Sequence, residues 1–476
     1  MKKRLSIICS ILVIVFIFTA CGNASPGVTT ETKDDSSAPV QSSKSASQSQ
    51  SEISSQIEME TVQDGEVIQI PLLMGSAGND ANTIVKEFQV KSFNEKYAGQ
   101  YEAVVEWLPG VAEDIRAKFK MLNASNDLPA VVSEMGAEPA FADLLFRNNR
   151  LVDLKPAFDA SPEWQKNAIP ESVIYNTQED GRMLSAPSAA TSYTGIYYNK
   201  EYFAEAGIDE FPKTWDAFWD ACEKLAAAGY TPLSLHTTET GWCPMLLGTA
   251  KIAVDEDGRA FMKQKFPTNF TDPVIIDLFE TVKRLFSYST PDSIGGNYAL
   301  AANNFAAGIT AMIPNGPWMI ASLSDTQFSP EGFEEQVGYA MFPGEVMISD
   351  MGENFGLGAS VDHPENVQQG AIEWIKFLAT DEMIRFDAVQ TGAFSQVVAL
   401  TEEDLSGFSP VMREYAELII GGVPITIAAY QSRWDPITQN EVIPMELISY
   451  LNDAITVEEL ADKMTASAEQ YAADNA

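Results

Sequence analysis

Three apolar, strand-like stretches that alternate with helix-like stretches constrain the fold of this chain most. They are VIQIPLLMG (67–75), YEAVVEWLPG (101–110) and LPAVVSEMG (128–136), and each precedes a segment with helical spacing of apolar residues. Alternating strands and helices are typical of an α/β fold with a parallel sheet. Ligands of such folds bind beyond the carboxyl ends of the strands, so the sequence predicts binding residues near the ends of these stretches.

Four polar residues at these strand ends are candidates for a binding site. Asn79 and Asp80 follow the first stretch, and Glu134 and Glu138 lie at the end of the third. Their amide and carboxylate groups can hydrogen-bond the hydroxyl groups of a polar ligand. Asp80 also stands where it would cap the helix that opens after it, and one carboxylate can do both.

The charge and the scarcity of histidine and cysteine argue against several classes of function. The chain has 67 acidic and 30 basic residues and a formal net charge of −37, so nucleic acid would be repelled. His236 and His363 are its two histidines, and its four cysteines form no CxxC pair, which disfavours a Cys/His zinc site. We expect no catalytic residue, no metal and no other cofactor.

The N-terminus has the features of a bacterial lipoprotein signal. Residues 1–20 combine a basic start with an apolar run and are predicted to be a signal peptide. Cys21 follows in FTACGN, which resembles the lipobox whose cysteine is lipidated; an ordinary signal peptide with an incidental cysteine is the alternative. Residues 21–66 are rich in Ser and Gln and are predicted to form a disordered tether behind the lipid. We therefore expect the protein on the extracytoplasmic face of the cell membrane, anchored by lipid.

The stretch 195–229, GIYYNKEYFAEAGIDEFPKTWDAFWDACEKLAAAG, predicts a strand followed by two helices. Asn199 is a candidate N-cap of the first helix, Thr214 starts the second and Gly229 ends it. The predicted core face of the second helix carries apolar residues at helical spacing, namely Trp215, Phe218, Trp219, Cys222, Leu225 and Ala226. Because Cys222 already has this core role, a buried free pair with Cys243 is favoured over a disulfide, which stays open.

Four stretches together resemble a known family. They are the 195–229 block with its YNK and PKTW elements, FAAGITAMIPNGPWMI (305–320), AIEWIKFLATDEMIRF (371–386) and ITVEELADKM (455–464). They are similar to the family 1 extracellular solute-binding proteins, lipoproteins that supply sugars to ABC importers and include maltose-binding protein. The similarity runs from about residue 67 to about residue 470. Ala130 and Ala217 depart from the family pattern, which usually has Asp and Glu there.

The resemblance implies a two-lobed α/β body of the periplasmic-binding-protein type (type II), whose chain crosses between the lobes three times. Lobe 1 would hold residues 67–189 and 358–394, and lobe 2 residues 195–352 and 395–476. The first two crossings would lie near 189–194 and 353–357, with the third beyond Gly392. The ligand would bind between the lobes, which close on it by a hinge motion.

The motif NGPW implies an aromatic platform. Trp318 falls where the family presents a side chain that stacks on a sugar ring, and Asn315 and Gly316 before it would let the backbone approach the cleft. A pyranose ring offers a C–H face that suits a flat aromatic group. The alternative is that Trp318 belongs to the core.

Three further residues are implied by the resemblance. Trp242 falls where the family builds a cleft wall, with core packing as the alternative. Trp434 lies where maltose-binding protein has another aromatic against the sugar, although it could instead anchor its own loop. Asp435 would hydrogen-bond two ligand hydroxyls or cap the following turn.

The function implied is that of a non-catalytic, monomeric receptor. It would capture a carbohydrate, an oligosaccharide in particular, and deliver it to the permease of an ABC transporter. Three alternatives stay open: the same fold with a phosphorylated or other non-sugar ligand, a surface glycosidase with two catalytic carboxylates, and a receptor that signals to a sensor kinase.

Overall fold

A computed structural model describes residues 67–76, 81–109, 112–136, 139–349, 356–395 and 397–475. The predicted signal peptide, the predicted lipidation site Cys21 and the predicted tether lie outside the described residues. Each helix within these residues is too short or too polar to cross a membrane.

The described residues form ten strands and twenty α-helices. The strands are β1 (Ile68–Ser76), β2 (Tyr101–Pro109), β3 (Val131–Val132), β4 (Tyr193–Asn199), β5 (Thr231–Leu233), β6 (Thr310–Asn315), β7 (Val337–Ala340), β8 (Val346–Ser349), β9 (Gly358–Ala359) and β10 (Ile425–Ala428). The first ten helices are α1 (Ala81–Lys96), α2 (Ala112–Ser125), α3 (Pro139–Arg147), α4 (Lys155–Asp159), α5 (Pro162–Asn167), α6 (Pro170–Asn176), α7 (Lys200–Glu205), α8 (Trp215–Ala228), α9 (Trp242–Ala253) and α10 (Glu256–Met262). The others are α11 (Pro273–Phe286), α12 (Tyr298–Ala306), α13 (Ile320–Ser324), α14 (Phe333–Gln336), α15 (Glu365–Leu378), α16 (Asp381–Thr391), α17 (Glu402–Ser406), α18 (Pro410–Ile420), α19 (Ile443–Leu451) and α20 (Val457–Asp474).

The strands form two separate sheets, one in each lobe. The lobe 1 sheet has the order β2-β1-β3-β9, with β1 parallel to both β2 and β3 and with β9 antiparallel to β3. The lobe 2 sheet has the order β10-β8-β4-β6-β5, and β7 also pairs with β4. The α/β class predicted from the alternation of strands and helices is confirmed, and the carboxyl ends of β1, β2 and β3 share one edge.

Each lobe has its own hydrophobic core. In lobe 1, Phe93 and Trp374 are buried and meet edge to face, with ring centroids 5.1 Å apart. In lobe 2, the predicted core face of α8 is confirmed, because Trp215, Trp219 and Cys222 all belong to the buried cluster there. Separate cores let the lobes move as units about the segments that join them.

The predicted helix boundaries follow from capping interactions that the structure shows. The Asn199 side chain accepts hydrogen bonds at the start of α7, and Thr214 accepts one from the Ala217 N–H at the start of α8. Gly229 ends α8 with a φ of 95°, a left-handed conformation that favours glycine. Thr456 and Glu459 form the predicted capping box of α20.

The segments that join the lobes run side by side. The Ala186 N–H donates to the Leu357 oxygen (2.7 Å), and Thr191 and Phe394 exchange backbone hydrogen bonds of 3.1 and 3.0 Å. Within α16, Met383 packs in the lobe 1 core and Ala388 in the lobe 2 core, and the third crossing beyond Gly392 stays a prediction. The other predicted lobe boundaries stay predictions, and residues 353–355 of the second crossing lie outside the described residues.

The lobes also touch away from these crossings. Lys265 of lobe 2 lies 3.1 Å from the Asp143 carboxylate of lobe 1. Arg147 of lobe 1 donates to the backbone oxygen of Asn475, near the end of α20, at 2.9 Å. These polar contacts are partly exposed, so each contributes about 0–1 kcal/mol and leaves the lobes free to separate.

Candidate ligand-binding cleft

A cavity of about 470 Å³, here called the lobe 1 cavity, opens at the carboxyl edge of the lobe 1 sheet. Gly75 and Ser133 line it at the ends of β1 and β3, and Ser188 and Gly356 line it from the crossings. The ligand position predicted from parallel-strand topology is therefore occupied by a cavity bordered by both the sheet and the hinge.

Three charged residues line the lobe 1 cavity within the described chain: Lys86, Glu134 and Asp387. Lys86 Nζ donates to the Gly75 oxygen at 3.2 Å. Glu134 has a φ of 63°, which is uncommon for a residue with a side chain, and its carboxylate lies 3.5 Å from Arg116. Glu134 is thus where the sequence predicted it, at a strand end beside a cavity, with a cation next to its carboxylate.

The NGPW motif forms a short turn that exposes its tryptophan. β6 ends at Asn315, and Pro317–Met319 form a 3₁₀ turn. A Cβ added to Gly316 would lie 2.3 Å from Cη2 of Trp318, so the indole rests against the glycine backbone and only glycine leaves room for it. The Trp318 side chain remains 43% exposed. An indole supported by its own backbone and still partly exposed is the arrangement that a stacking platform needs.

Asn315 and Gly316 support this turn and do not line the cavities described here. The buried Asn315 amide donates to Tyr298 Oη at 3.0 Å, and its oxygen accepts from the Gly316 N–H at 2.9 Å. Tyr197 Oη donates to the Gly316 oxygen at 2.7 Å. The prediction that Asn315 and Gly316 contact the ligand is corrected, because their polar groups are already bonded within lobe 2.

Trp242 lies beside Trp318. The two rings are 5.6 Å apart at an interplanar angle of 50°, and Trp242 is partly buried against the lobe 2 core. Its Nε1 donates to Gln431 Oε1 at 2.9 Å, and its ring meets Tyr298 edge to face at 6.4 Å. Trp242 therefore packs on the core, as the alternative had it, and also flanks the exposed indole. Its role as a cleft wall stays a prediction, because Trp242 lines none of the cavities described here.

A second cavity of about 420 Å³, here called the Trp318 cavity, has walls from both lobes. Asn82 of α1 contributes from lobe 1, Trp318 from lobe 2, and Ser192 from the first crossing. Asp387 lines this cavity and the lobe 1 cavity alike. The exposed indole therefore stands in the space between the lobes, beside the hinge.

Trp434 and Asp435 do not reach this space. Trp434 is fully buried, with its ring 5.0 Å from Phe270 and 5.2 Å from Tyr430. Asp435 is also buried, and its Oδ1 accepts from the Thr438 N–H at 2.8 Å. The ligand role predicted for both is corrected: Trp434 is a core residue, and Asp435 takes the alternative role of capping the following turn.

Four predicted residues lie outside the described residues: Asn79, Asp80, Glu138 and Cys21. Cys222 and Cys243 are both described, buried and free, which confirms the unpaired alternative. Burial raises the pKa of the Cys222 thiol to about 12, so this thiol stays protonated and unreactive at neutral pH. Within the described chain no cluster of three or more His, Cys, Asp or Glu could hold a metal ion.

The sequence analysis missed Asp387 and Tyr298. Asp387 lies on the amphipathic helix α16, where the sequence pattern assigns an acidic residue to the solvent-exposed face. It becomes a cavity residue only because the segments that join the lobes pack beside it. Burial raises the pKa of its carboxyl group, and the Thr391 hydroxyl opposes this by hydrogen bonding. Tyr298 holds Asn315 and contacts Trp242. It is the first residue of the helix α12, a position that gave no signal of either contact.

Comparison with known families and proteins gives consistent matches. Residues 89–401, about two thirds of the chain, match the family described as bacterial extracellular solute-binding protein. The chain is 30% identical over 151 residues to an sn-glycerol-3-phosphate-binding periplasmic protein of Brucella abortus, a match that covers 30% of this chain and 34% of that protein. It is 24% identical over 329 residues to the diacetylchitobiose binding protein of Streptomyces coelicolor, covering 67% and 70%.

The first of these matches spans about a third of the relative's length. Among solved structures, a chitin oligosaccharide binding protein superposes with a TM-score of 0.66 at 22% identity, covering 85% of this chain and 99% of that one. At that identity the likeness shows the fold alone, and it confirms the two-lobed architecture that the resemblance implied.

Proposed function

This chain belongs to the family of bacterial extracellular solute-binding proteins, and we propose that it captures a carbohydrate, an oligosaccharide in particular, between its lobes and delivers it to an ABC importer. The observation that carries the proposal is the exposed indole of Trp318, supported from below by Gly316 in a cavity with walls from both lobes. An exposed indole in a largely apolar cavity that also contains a few polar groups suits the C–H face of a sugar ring.

The architecture supports capture by closure. Two lobes with separate cores are joined by adjacent segments, and the cavities lie beside these segments. A ligand that contacts both walls binds the closed arrangement more tightly and shifts the population toward it. Capture and release need no bond to break, so we propose a receptor without catalytic activity, which acts as a monomer.

The sequence upstream of residue 67 supports a membrane anchor. A lipid on Cys21 and a tether of polar residues would hold the globular body near the permease while it samples ligand. Anchoring also raises the effective concentration of the receptor at its transporter.

A second candidate ligand is a phosphorylated polyol. The Brucella abortus relative, named for binding sn-glycerol 3-phosphate, favours it. The charges of the described cavity walls weigh against it, because Glu134 and Asp387 are acidic and Lys86 is the basic residue among the described residues that line the lobe 1 cavity.

The test is a thermal-shift screen of the chain against mono- and oligosaccharides, followed by calorimetry of the best ligand on Trp318→Ala. Loss of a stacking tryptophan costs about 2 kcal/mol of binding free energy, which corresponds to roughly 30-fold weaker binding. Stability should change little, because the side chain is already 43% exposed.

The matched control is Phe328→Ala, which removes a 53% exposed aromatic of lobe 2 that lines none of the cavities described above. Its affinity should equal that of the unmodified chain. If the Trp318→Ala chain unfolds, Trp318 is a core residue that the fold requires. If the chain folds and its affinity is unchanged, Trp318 is not a stacking platform for the ligand.

A further inference from the structure

Asp387 occupies the place where the cavities of the cleft meet. It lines the lobe 1 cavity, the Trp318 cavity and a third cavity of about 240 Å³ behind the crossings. It belongs to α16, a helix that contributes Met383 to the lobe 1 core and Ala388 to the lobe 2 core. A ligand that spans the cleft from the lobe 1 sheet to Trp318 therefore passes this side chain.

The Asp387 carboxylate is held in place by one neighbour. Thr391, one turn further along α16, donates its hydroxyl to Asp387 Oδ1 at 2.8 Å. Among the described residues, no donor reaches Oδ2 and no lysine or arginine forms an ion pair with this carboxylate. One oxygen is thus fixed by the protein, and the other can accept a hydrogen bond from a ligand.

The charge of Asp387 is not balanced locally. It is the one charged residue among the described residues that line the Trp318 cavity, and the same holds for the third cavity. In the lobe 1 cavity, Arg116 lies beside Glu134, and Lys86 keeps its positive charge while it donates to a backbone oxygen. On the Trp318 side of Asp387, where no other described lining residue is charged, an anionic ligand would therefore meet a like charge in a partly desolvated site.

From this geometry we propose that Asp387 is a specificity-determining residue, which accepts a hydrogen bond from a neutral, hydroxyl-bearing ligand and rejects phosphorylated ligands. The inference rests on the proposed function and deepens it by naming the substrate class. A carboxylate that accepts from a hydroxyl forms a charge-assisted bond, and the same charge is the repulsive element that specificity requires. Thr391 acts as a positioning residue.

The experiment is calorimetry with three probes, N,N′-diacetylchitobiose, raffinose and sn-glycerol 3-phosphate, on the full chain and on Asp387→Asn. The unmodified chain should bind a neutral probe and give no binding heat with sn-glycerol 3-phosphate. Asp387→Asn keeps the shape of the side chain and removes its charge. This substitution should weaken binding of the neutral probe on the order of tenfold. It should also reduce the ratio of the affinity for the neutral probe to the affinity for sn-glycerol 3-phosphate.

A second variant separates charge from orientation. Thr391→Val removes the hydroxyl that fixes Oδ1 and leaves the carboxylate charged, so it should weaken neutral binding by about threefold while sn-glycerol 3-phosphate is still rejected. A purely structural role of Thr391 would leave the affinity for the neutral probe unchanged. Circular dichroism and melting temperature verify that both variants are folded.

The outcomes separate the inference from the proposed function. If the unmodified chain binds a neutral probe and Asp387→Asn binds it within twofold as tightly, the inference fails and the proposed function stands. If the unmodified chain binds sn-glycerol 3-phosphate and no neutral sugar, or binds none of the probes, the proposed function fails and the inference falls with it.

Discussion

Two tryptophan-bearing loops of lobe 2 received the same interpretation from sequence and have opposite structures. Trp318 rests on Gly316 and is 43% exposed, whereas Trp434 is fully buried between Phe270 and Tyr430. Both follow a break in the helix and strand patterns, and both stand where the resemblance implied an aromatic against the ligand. Neither the tryptophan residue itself nor a break in the helix or strand pattern therefore determines whether the indole is exposed.

The difference lies in what each indole has beneath it. At Gly316 the absence of a Cβ lets the Trp318 ring lie on its own backbone, so the ring needs no deeper pocket. Trp434 follows the 3₁₀ turn Tyr430–Ser432 and enters the lobe core, where its buried Nε1 has no hydrogen-bond partner among the residues that the structure describes. One loop therefore places its indole at the cleft, and the other contributes its indole to stability.

Trp434→Ala should produce the largest effect. Removing a fully buried indole leaves a cavity and should lower the free energy of unfolding by about 3–5 kcal/mol. Denaturant unfolding followed by far-UV circular dichroism measures this loss without depending on tryptophan fluorescence.

Trp434→Phe is the matched control for this change. It retains most of the packed ring and removes the unpartnered N–H, so the loss should be only about 1–2 kcal/mol. A Trp434→Ala chain that keeps its stability but loses ligand affinity would reverse the comparison, because Trp434 would then behave as the platform.

The local features of the chain were predictable because they depend on near neighbours in the sequence. Thr214 and Gly229 bound α8 through hydrogen bonds within a few residues of themselves, and the strand β1 lies where its apolar run predicts it. Gly316 and Trp318 are similarly close in sequence, so the motif predicted an exposed tryptophan, whereas its role as a platform stays a prediction. These features need no knowledge of the rest of the fold.

The features that were missed depend on residues far apart in the chain. The burial of Trp434 requires Phe270, and the position of Asp387 at three cavities requires the crossings near Ser188 and Gly356. Helical periodicity assigns Asp387 to a solvated face, because the spacing of apolar residues within one helix carries no information about a distant segment that packs against that face. Tertiary contacts of this kind are what sequence patterns cannot supply.

Gly316→Ala should produce an effect of intermediate size, on binding and not on stability. The added Cβ would lie 2.3 Å from the Trp318 ring, so the indole must swing away from its supported position. Gly316 has a φ of −107°, which any residue adopts, so backbone strain does not contribute. We expect affinity to fall on the order of tenfold, or about 1.4 kcal/mol, in calorimetry with the ligand found by the screen.

Gly407→Ala is the matched control for this variant. Gly407 lines the Trp318 cavity, but an added Cβ there would meet its nearest atom at 3.9 Å. Adding this methyl group should leave affinity within about twofold. If Gly316→Ala binds as tightly as the unmodified chain, the glycine does not support the platform, and the contrast with Trp434 loses its explanation.

Trp242→Phe should produce the smallest effect. Trp242 flanks Trp318 at 5.6 Å and is held by the hydrogen bond from its Nε1 to Gln431. A phenyl ring keeps part of the aromatic contact and loses the hydrogen bond, so Trp318 should be slightly less well oriented. We expect a loss of about 0.5 kcal/mol, or roughly twofold in affinity, measured by calorimetry against the same ligand.

Gln431→Leu distinguishes the hydrogen bond of Trp242 from its ring contact with Trp318. It removes the hydrogen-bond acceptor and leaves both indoles, so a loss equal to that of Trp242→Phe assigns the effect to the hydrogen bond, and no loss assigns it to the ring contact. A Trp242→Phe chain that loses as much affinity as Trp318→Ala would mean that Trp242 itself meets the ligand. The cleft would then present two stacking surfaces in lobe 2, and exposure alone would no longer distinguish the residues that bind from those that support.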